Sequence, residues 1–328
     1  MKALSQQPTG TPPRDEGVAD FAAEVRFYLS QQPRQLPSRY LYDPLGSALF
    51  EAITRLPWYH VTRAELGLLR THGQAILQRP GVPARLVELG SGSGEKLATL
   101  LAAGKPVDVP VDLHLIDVSH AALTAATQAL ASVAGAQVTA HQASYEDGLG
   151  ELPRSEKAAG RTLAMFLGSN IGNFDPGESR LLLTRVRRTL VPGDELLIGV
   201  DLVKPERDLL LAYDDPLQVT AAFNRNLLVR INRELDGRID LANFVHRAVW
   251  NAEASRIEMH LVSTRRQHLV IHGAGCDIAL AEGESIWTES SYKFDRQTLR
   301  ELLMSSGFVP AAQWVDERAG FALTLARA

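Results

Sequence analysis

Between residues 85 and 200 the chain keeps one rhythm: a short apolar run, a polar turn, an amphipathic stretch, then another apolar run. The runs are residues 85–89, 112–116, 136–140, 162–167 and 195–200. The stretches that repeat apolar side chains three and four apart are residues 94–103, 119–130 and 178–190, the second opened by Ser119, a good helix cap, and the third followed by the turn Pro192-Gly193. A nearly continuous apolar strand must be buried on both faces. Such strands alternating with amphipathic helices predict a doubly wound parallel sheet with helices on either side.

Outside this stretch the pattern changes. Residues 19–31 predict a helix with Phe21, Val25, Tyr28 and Leu29 on one stripe, 36–44 a turn region with Tyr40 and Tyr42, and 47–55 a short helix stopped before Pro57. Thr62 and Glu65 have the spacing of a capping box, which predicts a helix over 63–77. After Asp201 come a helix over 219–235, a meander of alternating strands over 244–270 and another alternating segment over 286–294. A helix over 296–306 and strands over 310–316 and 321–326 then complete the sheet. The expected organisation is a core of 64–201 plus 294–328 and a second α+β domain of 18–63 plus 202–293, built from the N-terminal helices and an insertion. Residues 1–17, rich in Pro, Gln, Thr and Gly, are expected to be a disordered lead-in.

Composition narrows the class of function. Of 328 residues, 45% are hydrophobic and 22% charged, ordinary for a globular protein. The 34 basic and 38 acidic residues leave a net charge of -4, no footprint for nucleic acid or an anionic membrane. The nine histidines show no metal-ligand spacing, and the single cysteine, Cys276, excludes an intrachain disulfide or a multi-cysteine metal site and fits a reducing compartment. No apolar run approaches the roughly 20 residues that span a bilayer, and the lead-in lacks the apolar stretch of a signal peptide. A monomeric, cytoplasmic protein acting on a small molecule is the expectation.

Leu89 leads into Gly90-Ser91-Gly92-Ser93-Gly94-Glu95-Lys96, where a buried strand turns into a helix. Glycine there permits unusual torsions and lets a ligand approach the main chain. The nicotinamide fingerprint GxGxxG is not met, because position 95 is glutamate. The spacing GxGxG suits the amino-acid and ribose part of S-adenosylmethionine, which has no pyrophosphate. Asp117 ends the next strand, where a carboxylate can grip both ribose hydroxyls, and Ser144-Tyr145 follow the third strand, where an adenine ring would rest. A glycine loop alone is also what a tight turn without a ligand looks like. Loop, acidic strand end and terminal antiparallel strands together favour cofactor binding, with a nicotinamide fold as the weaker alternative.

Two further segments carry chemistry. Gly168-Ser169-Asn170-Ile171-Gly172-Asn173 follows the fourth strand, and Asn173 can offer an amide to a carboxylate or equally support a turn. In Trp287-Thr288-Glu289-Ser290-Ser291-Tyr292-Lys293-Phe294, Glu289 and Ser291 share one face if the segment is extended. A carboxylate and a hydroxyl match the N–H donor and bare nitrogen of a neutral imidazole, though a solvated strand face accounts for an isolated glutamate as well.

Together these segments resemble the histidine Nα-methyltransferase family of ergothioneine biosynthesis. The resemblance runs from about Leu36 to the end. It rests on Tyr42-Asp43 before Gly46-Ser47-Ala48-Leu49-Phe50, on Tyr59 before Thr62-Arg63-Ala64-Glu65, and on the glycine loop. It continues in the Gly168–Asn173 motif, Ala212-Tyr213-Asp214-Asp215, Ile257-Glu258-Met259 and Thr288 to Phe294. It implies a class I methyltransferase, Rossmann-like, that uses S-adenosylmethionine and no metal to trimethylate the α-amine of L-histidine to hercynine. By the resemblance, Gly90, Gly92, Lys96, Asp117, Ser144 and Tyr145 bind the cofactor. Asn173 and Tyr213 hold the substrate carboxylate, Glu289 and Ser291 hold the imidazole, and Met259 lines its pocket. Tyr42 and Tyr59 surround the amine and are the catalytic pair. Family members commonly have aspartate where Ser144 stands, which weakens the expected adenine contact. Taken singly, Met259 alternates with Ile257 and Leu261 as plain core would, the tyrosines fit buried structural roles, and Lys96 fits a solvated helix face. The runner-up activity is methylation of another aromatic amino acid such as tryptophan, and a different class is a non-catalytic sensor of the same ligands.

Overall fold

The computed structural model describes residues 18–78, 83–104, 110–153 and 160–328. In chain order the elements are α1 (Val18–Ser30), β1 (Arg34–Gln35), α2 (Pro44–Thr54), α3 (His60–Leu77), β2 (Arg85–Leu89), α4 (Glu95–Gly104), β3 (Val111–Asp117), α5 (His120–Leu130) and β4 (Ala136–Gln142). Then come α6 (Tyr145–Glu151), β5 (Thr162–Phe166), α7 (Pro176–Thr189), β6 (Glu195–Asp201), α8 (Glu206–Tyr213), α9 (Val219–Glu234), β7 (Phe244–Asn251) and β8 (Arg256–Ser263). The chain ends with β9 (Gln267–Ile271), β10 (Cys276–Leu280), β11 (Ser285–Tyr292), α10 (Arg296–Ser305), β12 (Val309–Asp316) and β13 (Phe321–Arg327).

The described chain forms two compact units. The larger comprises the described residues of Glu51–Ala212, Ala252–Arg256 and Ser291–Ala328, the smaller those of residues 18–50, Tyr213–Asn251 and Ile257–Ser290. By this division residues 51–63 and 202–212 go with the larger unit, so α2 and α8 each run across a boundary. The lead-in over 1–17 lies outside the described residues.

The larger unit is built on a seven-stranded sheet in the order β12-β13-β6-β5-β2-β3-β4. β4, β3, β2, β5 and β6 are mutually parallel, and β13 is antiparallel to both β6 and β12. The order reverses at β2, so the carboxyl ends of β2 and β5 flank the crevice where doubly wound sheets take ligands. Leu86, Leu89, Leu163, Phe166, Leu197, Ile198, Leu323 and Leu325 are fully buried on these central strands. The edge strand β4 alternates half-buried and exposed residues, since a sheet edge is covered less completely. Helix α3 lies against α4 at Gly73, where an added Cβ would come within 2.6 Å of the Ala103 methyl.

Local chemistry sets the helix starts. Ser119 caps α5, Asp175 and Glu178 form a capping box on α7 with Pro176 in its first turn, and Asp295 and Thr298 form another on α10. The capping box read at Thr62 and Glu65 is not one. Helix α3 begins at His60, and Glu65 is fully buried with its carboxylate turned to Gly168. The spacing was right for a cap, but a tertiary partner took the glutamate. Helices α6 and α8 and strand β10 were not expected from the sequence, and all three are short.

The smaller unit holds a four-stranded sheet, β1-β11-β8-β7, and a two-stranded ribbon, β10-β9. Helix α9 is capped by the Asp215 carboxylate, which accepts from the amides of Val219 (3.2 Å) and Thr220 (2.8 Å). No helix among the described residues is long and apolar enough to cross a membrane. The register that pairs Leu325 with Leu197, both fully buried, sits at the centre of the antiparallel sheet join. Leu325→Ala is expected to cost about 2–5 kcal/mol, read as a lower urea midpoint with an unchanged slope.

Candidate functional site

In the larger unit the glycine loop leaves β2 with three left-handed residues, Gly90 (φ 73), Gly92 (φ 51) and Gly94 (φ 75). A Cβ on Gly90 would fall 2.6 Å from the Asn170 amide nitrogen and 2.9 Å from the Tyr145 hydroxyl, so the loop, the segment after β5 and α6 converge there. Around Gly92 there is open space. The Gly92 N–H donates to Asp117 Oδ2 (3.0 Å), and Ser119 N–H donates to Oδ1 (2.9 Å). The Val118 N–H acts on the same carboxylate, so three backbone amides favour its ionised form, and two carboxylate oxygens with about four acceptor sites keep room for a further donor. Burial pushes the Asp117 carboxyl up, against the pull of those amides.

Lys96 is not a solvated helix residue. Its ammonium pairs with Glu65 Oε2 at 3.0 Å, and Glu65 accepts from the Gly168 N–H with both oxygens, at 3.0 and 2.8 Å. Glu88, one turn of strand before the loop, is fully buried, and neither carboxylate oxygen has a hydrogen-bond partner. Desolvation, reinforced by the nearby Glu65 and Asp117 charges and opposed by Lys96, raises its pKa from 4.5 to about 8.

After β5 the chain makes a short 3-10 turn over Asn170–Asn173, entered through Ser169 in the left-handed region (φ 59). Ser169 Oγ accepts from the Asp201 N–H (2.9 Å), which ties this turn to the end of β6. Gly172 lets the turn approach the end of β11: an added Cβ would be 2.6 Å from the Tyr292 carbonyl oxygen. At that end Lys293, fully buried, donates to Ser291 Oγ (2.8 Å) and pairs with Asp201 (3.2 Å). Asn173 is half-buried within the turn, and Tyr59 is buried at the residue that precedes α3.

Ser144 caps α6: its hydroxyl donates to Asp147 Oδ2 (2.8 Å) and accepts from Asp147 N–H (3.1 Å). The Tyr145 ring packs edge-on against Phe166 at 5.2 Å, and burial raises its hydroxyl pKa. The two residues are adjacent in sequence, but their side chains serve a helix cap and an aromatic cluster.

In the smaller unit Tyr42 is half-buried, with its ring edge-on to Phe50 and Phe223, each at 5.5 Å. Asp43 anchors the segment, accepting from Gly46 N–H (2.7 Å) and Asn226 Nδ2 (2.6 Å) and pairing with Arg233 (2.7 Å). Burial opposes ionisation of Asp43, but these donors outweigh it and hold the carboxyl below its usual range. Tyr213 ends α8, and its carbonyl meets His246 Nε2 at 2.8 Å. Met259 is buried between Ile257 and Leu261 on one face of β8, as core would be, and its carbonyl accepts from Thr288 Oγ1 (3.0 Å). Glu289 is buried on β11, and its carbonyl accepts from Trp287 Nε1 (2.8 Å).

Sequence reasoning missed Glu65, Glu88, Asn170 and Lys293. Glu88 was legible in principle, being a charge inside an otherwise apolar strand, and Lys293 was a charge within a segment already singled out. Glu65 and Asn170 needed the fold.

These residues fit S-adenosylmethionine. The open space at Gly92 and the remaining acceptor capacity of Asp117 provide a backbone cradle and an acceptor for a ribose hydroxyl.

Comparison with known proteins agrees. A family model described as histidine-specific methyltransferase, SAM-dependent, matches residues 21–328. The chain is 40% identical over 315 residues to a histidine N-alpha-methyltransferase of Mycolicibacterium smegmatis, covering 94% of this chain and 97% of the relative. It is 39% identical to the protein of the same name from Mycobacterium tuberculosis, covering 95% and 96%. An L-tryptophan methyltransferase of Psilocybe serbica is 24% identical, covering 90% and 88%.

Two outcomes are expected of this geometry. Asp117→Ala should weaken binding of S-adenosylmethionine by about tenfold or more, from the loss of charge-assisted hydrogen bonds; unaltered affinity by isothermal titration would remove Asp117 from the ribose role. The folded protein keeps a proton on Glu88 up to about pH 8, whereas the unfolded chain releases it near 4.5. Stability therefore falls as pH rises between those values, and Glu88→Gln should flatten that fall in urea titrations run across the range.

Proposed function

The chain belongs to the SAM-dependent, histidine-specific methyltransferase family, and on that premise we propose that it transfers three methyl groups to the α-amine of L-histidine, forming hercynine in ergothioneine biosynthesis. The observation that carries the choice of substrate is that residues 285–292 form a strand, so Glu289 and Ser291 alternate onto one face. An imidazole needs one acceptor and one donor. Glu289 accepts from its N–H. Ser291, whose oxygen already accepts from Lys293, acts toward the bare ring nitrogen as a donor.

S-adenosylmethionine, when bound, supplies a methyl group on a positively charged sulfur that is already activated for displacement. The protein has to hold and align. Gly90, Gly92 and Asp117 provide the cradle and the ribose acceptor, and Lys96, paired with Glu65, fixes the helix that follows the loop. Asn173 and Tyr213 bind the carboxylate of the amino-acid substrate and so select α-amino acids. Tyr42 accepts a hydrogen bond from the neutral amine and turns its lone pair toward the methyl donor. The Tyr59 ring faces the nitrogen as it gains methyls, since an aromatic face stabilises a quaternary ammonium by about 0.5–2 kcal/mol. This lets the second and third transfers proceed as the nitrogen gains bulk. The Tyr145 ring supports Gly90 from below, and Ser144 acts on the adenine site through the start of α6. No step calls for a metal.

Tryptophan is the second reading, favoured by the more distant tryptophan-methylating relative. An indole offers an N–H to Glu289 but no acceptor for Ser291, so histidine uses both groups and tryptophan one. Glu289→Ala should lower kcat/KM for histidine about 10–100-fold and leave affinity for S-adenosylmethionine within about twofold. The readout is product mass after incubation with labelled methyl donor and each of the amino acids. Unchanged histidine turnover in that variant would sink the imidazole role, and no labelled product from any amino acid would point to a sensor.

A further inference from the structure

Within the smaller unit, one buried network joins the segment bearing Tyr213 to the strand bearing Glu289. Tyr213 is the last residue of α8, so its carbonyl is one of the orphan acceptors of a helix C-terminus. His246 on β7 meets that oxygen through Nε2 at 2.8 Å. The other ring nitrogen, Nδ1, lies 2.9 Å from the Asn224 amide nitrogen. Asn224 is fully buried on α9, and its amide also donates to the His260 carbonyl (3.2 Å), while its Oδ1 accepts from Thr288 Oγ1 at 2.6 Å. Thr288 immediately precedes Glu289.

The one hydrogen of the Thr288 hydroxyl is shared between Asn224 Oδ1 (2.6 Å) and the Met259 carbonyl (3.0 Å), and the sense of the remaining links is fixed. The His260 carbonyl can only accept, so it fixes Asn224 with Nδ2 toward it and toward His246. An amide N–H facing His246 Nδ1 requires that nitrogen to be bare. The ring proton therefore sits on Nε2, where it donates to the Tyr213 carbonyl. A second proton on the ring would set two donors against each other. Consistent with this, burial pushes the His246 pKa down, with Arg225 adding to it, against the raising influence of the Tyr213 carbonyl, Asp214 and Asp215.

We propose that Asn224 and His246 are positioning residues that set the distance between the carboxylate grip at Tyr213 and the imidazole grip at Glu289, and so define the length of amino acid accepted. Neither residue touches the reacting atoms. Asn224 holds β11 through Thr288 and β8 through the His260 carbonyl, and His246 passes that register to the end of α8. Because the links are short, neutral and directional, a change at one end cannot be absorbed by rotating the other. The inference rests on the reading of Tyr213 and Glu289 as substrate ligands.

The experiment compares His246→Leu, His246→Gln and Asn224→Asp with Tyr213→Phe and Glu289→Ala. Glutamine can present an N–H to the Tyr213 carbonyl and an oxygen to the Asn224 amide, whereas leucine can do neither. His246→Leu should raise KM for histidine about tenfold, with kcat and affinity for S-adenosylmethionine within about twofold, as expected when ground-state and transition-state binding are lost together. His246→Gln should recover most of the loss. Asn224→Asp places an acceptor against His246 Nδ1 and should give a protonated ring, seen as a second protonated nitrogen in 15N-histidine spectra. The unmodified protein should show His246 protonated at Nε2 alone, with or without histidine bound, a reading that needs no variant to fold beyond His246→Gln for its identification. A ring protonated at Nδ1, equal KM values for the leucine and glutamine variants, or an unchanged KM in both would overturn the proposal. If Tyr213→Phe and Glu289→Ala leave histidine kinetics untouched, the substrate reading fails and takes the inference with it. If those two act while His246→Leu is silent, only the inference fails.

Discussion

A single buried carboxylate organises the larger unit. Glu65 reaches from α3 to the Gly168 N–H after β5 and to the Lys96 ammonium on α4. It also dictates the residue on the neighbouring strand: a Cβ at Gly199 on β6 would lie 1.9 Å from Glu65 Oε1, so only glycine leaves the carboxylate its place. Two helices, the end of β5 and the interior of β6 are thereby indexed to one charge. Removing one partner of such a buried pair typically costs about 3–5 kcal/mol, because the other is left uncompensated. Lys96 cannot neutralise two carboxylates at once. With its ammonium committed to Glu65, Glu88 lies buried near two negative charges and keeps its proton. The polar floor under the glycine loop is thus one ion pair and one neutral acid, an arrangement that tolerates a cationic ligand overhead.

The smaller unit solves the same problem with dipoles. Its deepest polar group, Asn224, carries no charge and spends both its N–H groups and its carbonyl on fixed partners. The charged clamp, Asp43 with Arg233, sits toward the surface, where Arg233 is half exposed. Around the sheet, Trp287 donates to the Glu289 carbonyl and stacks on His260 at 6.1 Å, so β11 is held on several sides. The imidazole site proposed on this strand would gain from such rigidity: discrimination by paired hydrogen bonds depends on leaving the site's own groups unpaired when the wrong ring enters.

Methyl transfer asks little acid–base chemistry of a protein and a great deal of alignment. The distribution of residues reflects that. The residues proposed to hold the cofactor stand at or just beyond the carboxyl ends of β2, β3 and β4, positions that a parallel sheet holds to within its hydrogen-bond register. Backbone conformation does the same work at Gly90, Gly92 and Ser169, where left-handed residues aim amides that no side chain could replace.

The alternation of apolar strands and amphipathic helices, the glycine spacing, the acidic end of β3 and the TESSYKF segment were all legible in the sequence, because each is a local periodicity or a short motif whose chemistry does not depend on distant neighbours. From these the doubly wound sheet and the cofactor class follow. Tertiary structure decided the rest. Thr62 and Glu65 have the spacing of a capping box, yet the fold spends Glu65 on Gly168, more than a hundred residues away in sequence. Ser144 follows the third strand of the motif series, and only the fold shows that its hydroxyl also caps α6. Asn224 and His246 carry no motif at all, and only the packing of α9 against β7 and β11 gives them a direction. Sequence spacing reports what a side chain can do within a turn or two of chain. Which of several available partners a buried polar group takes is settled by desolvation, once the fold has removed water from all of them.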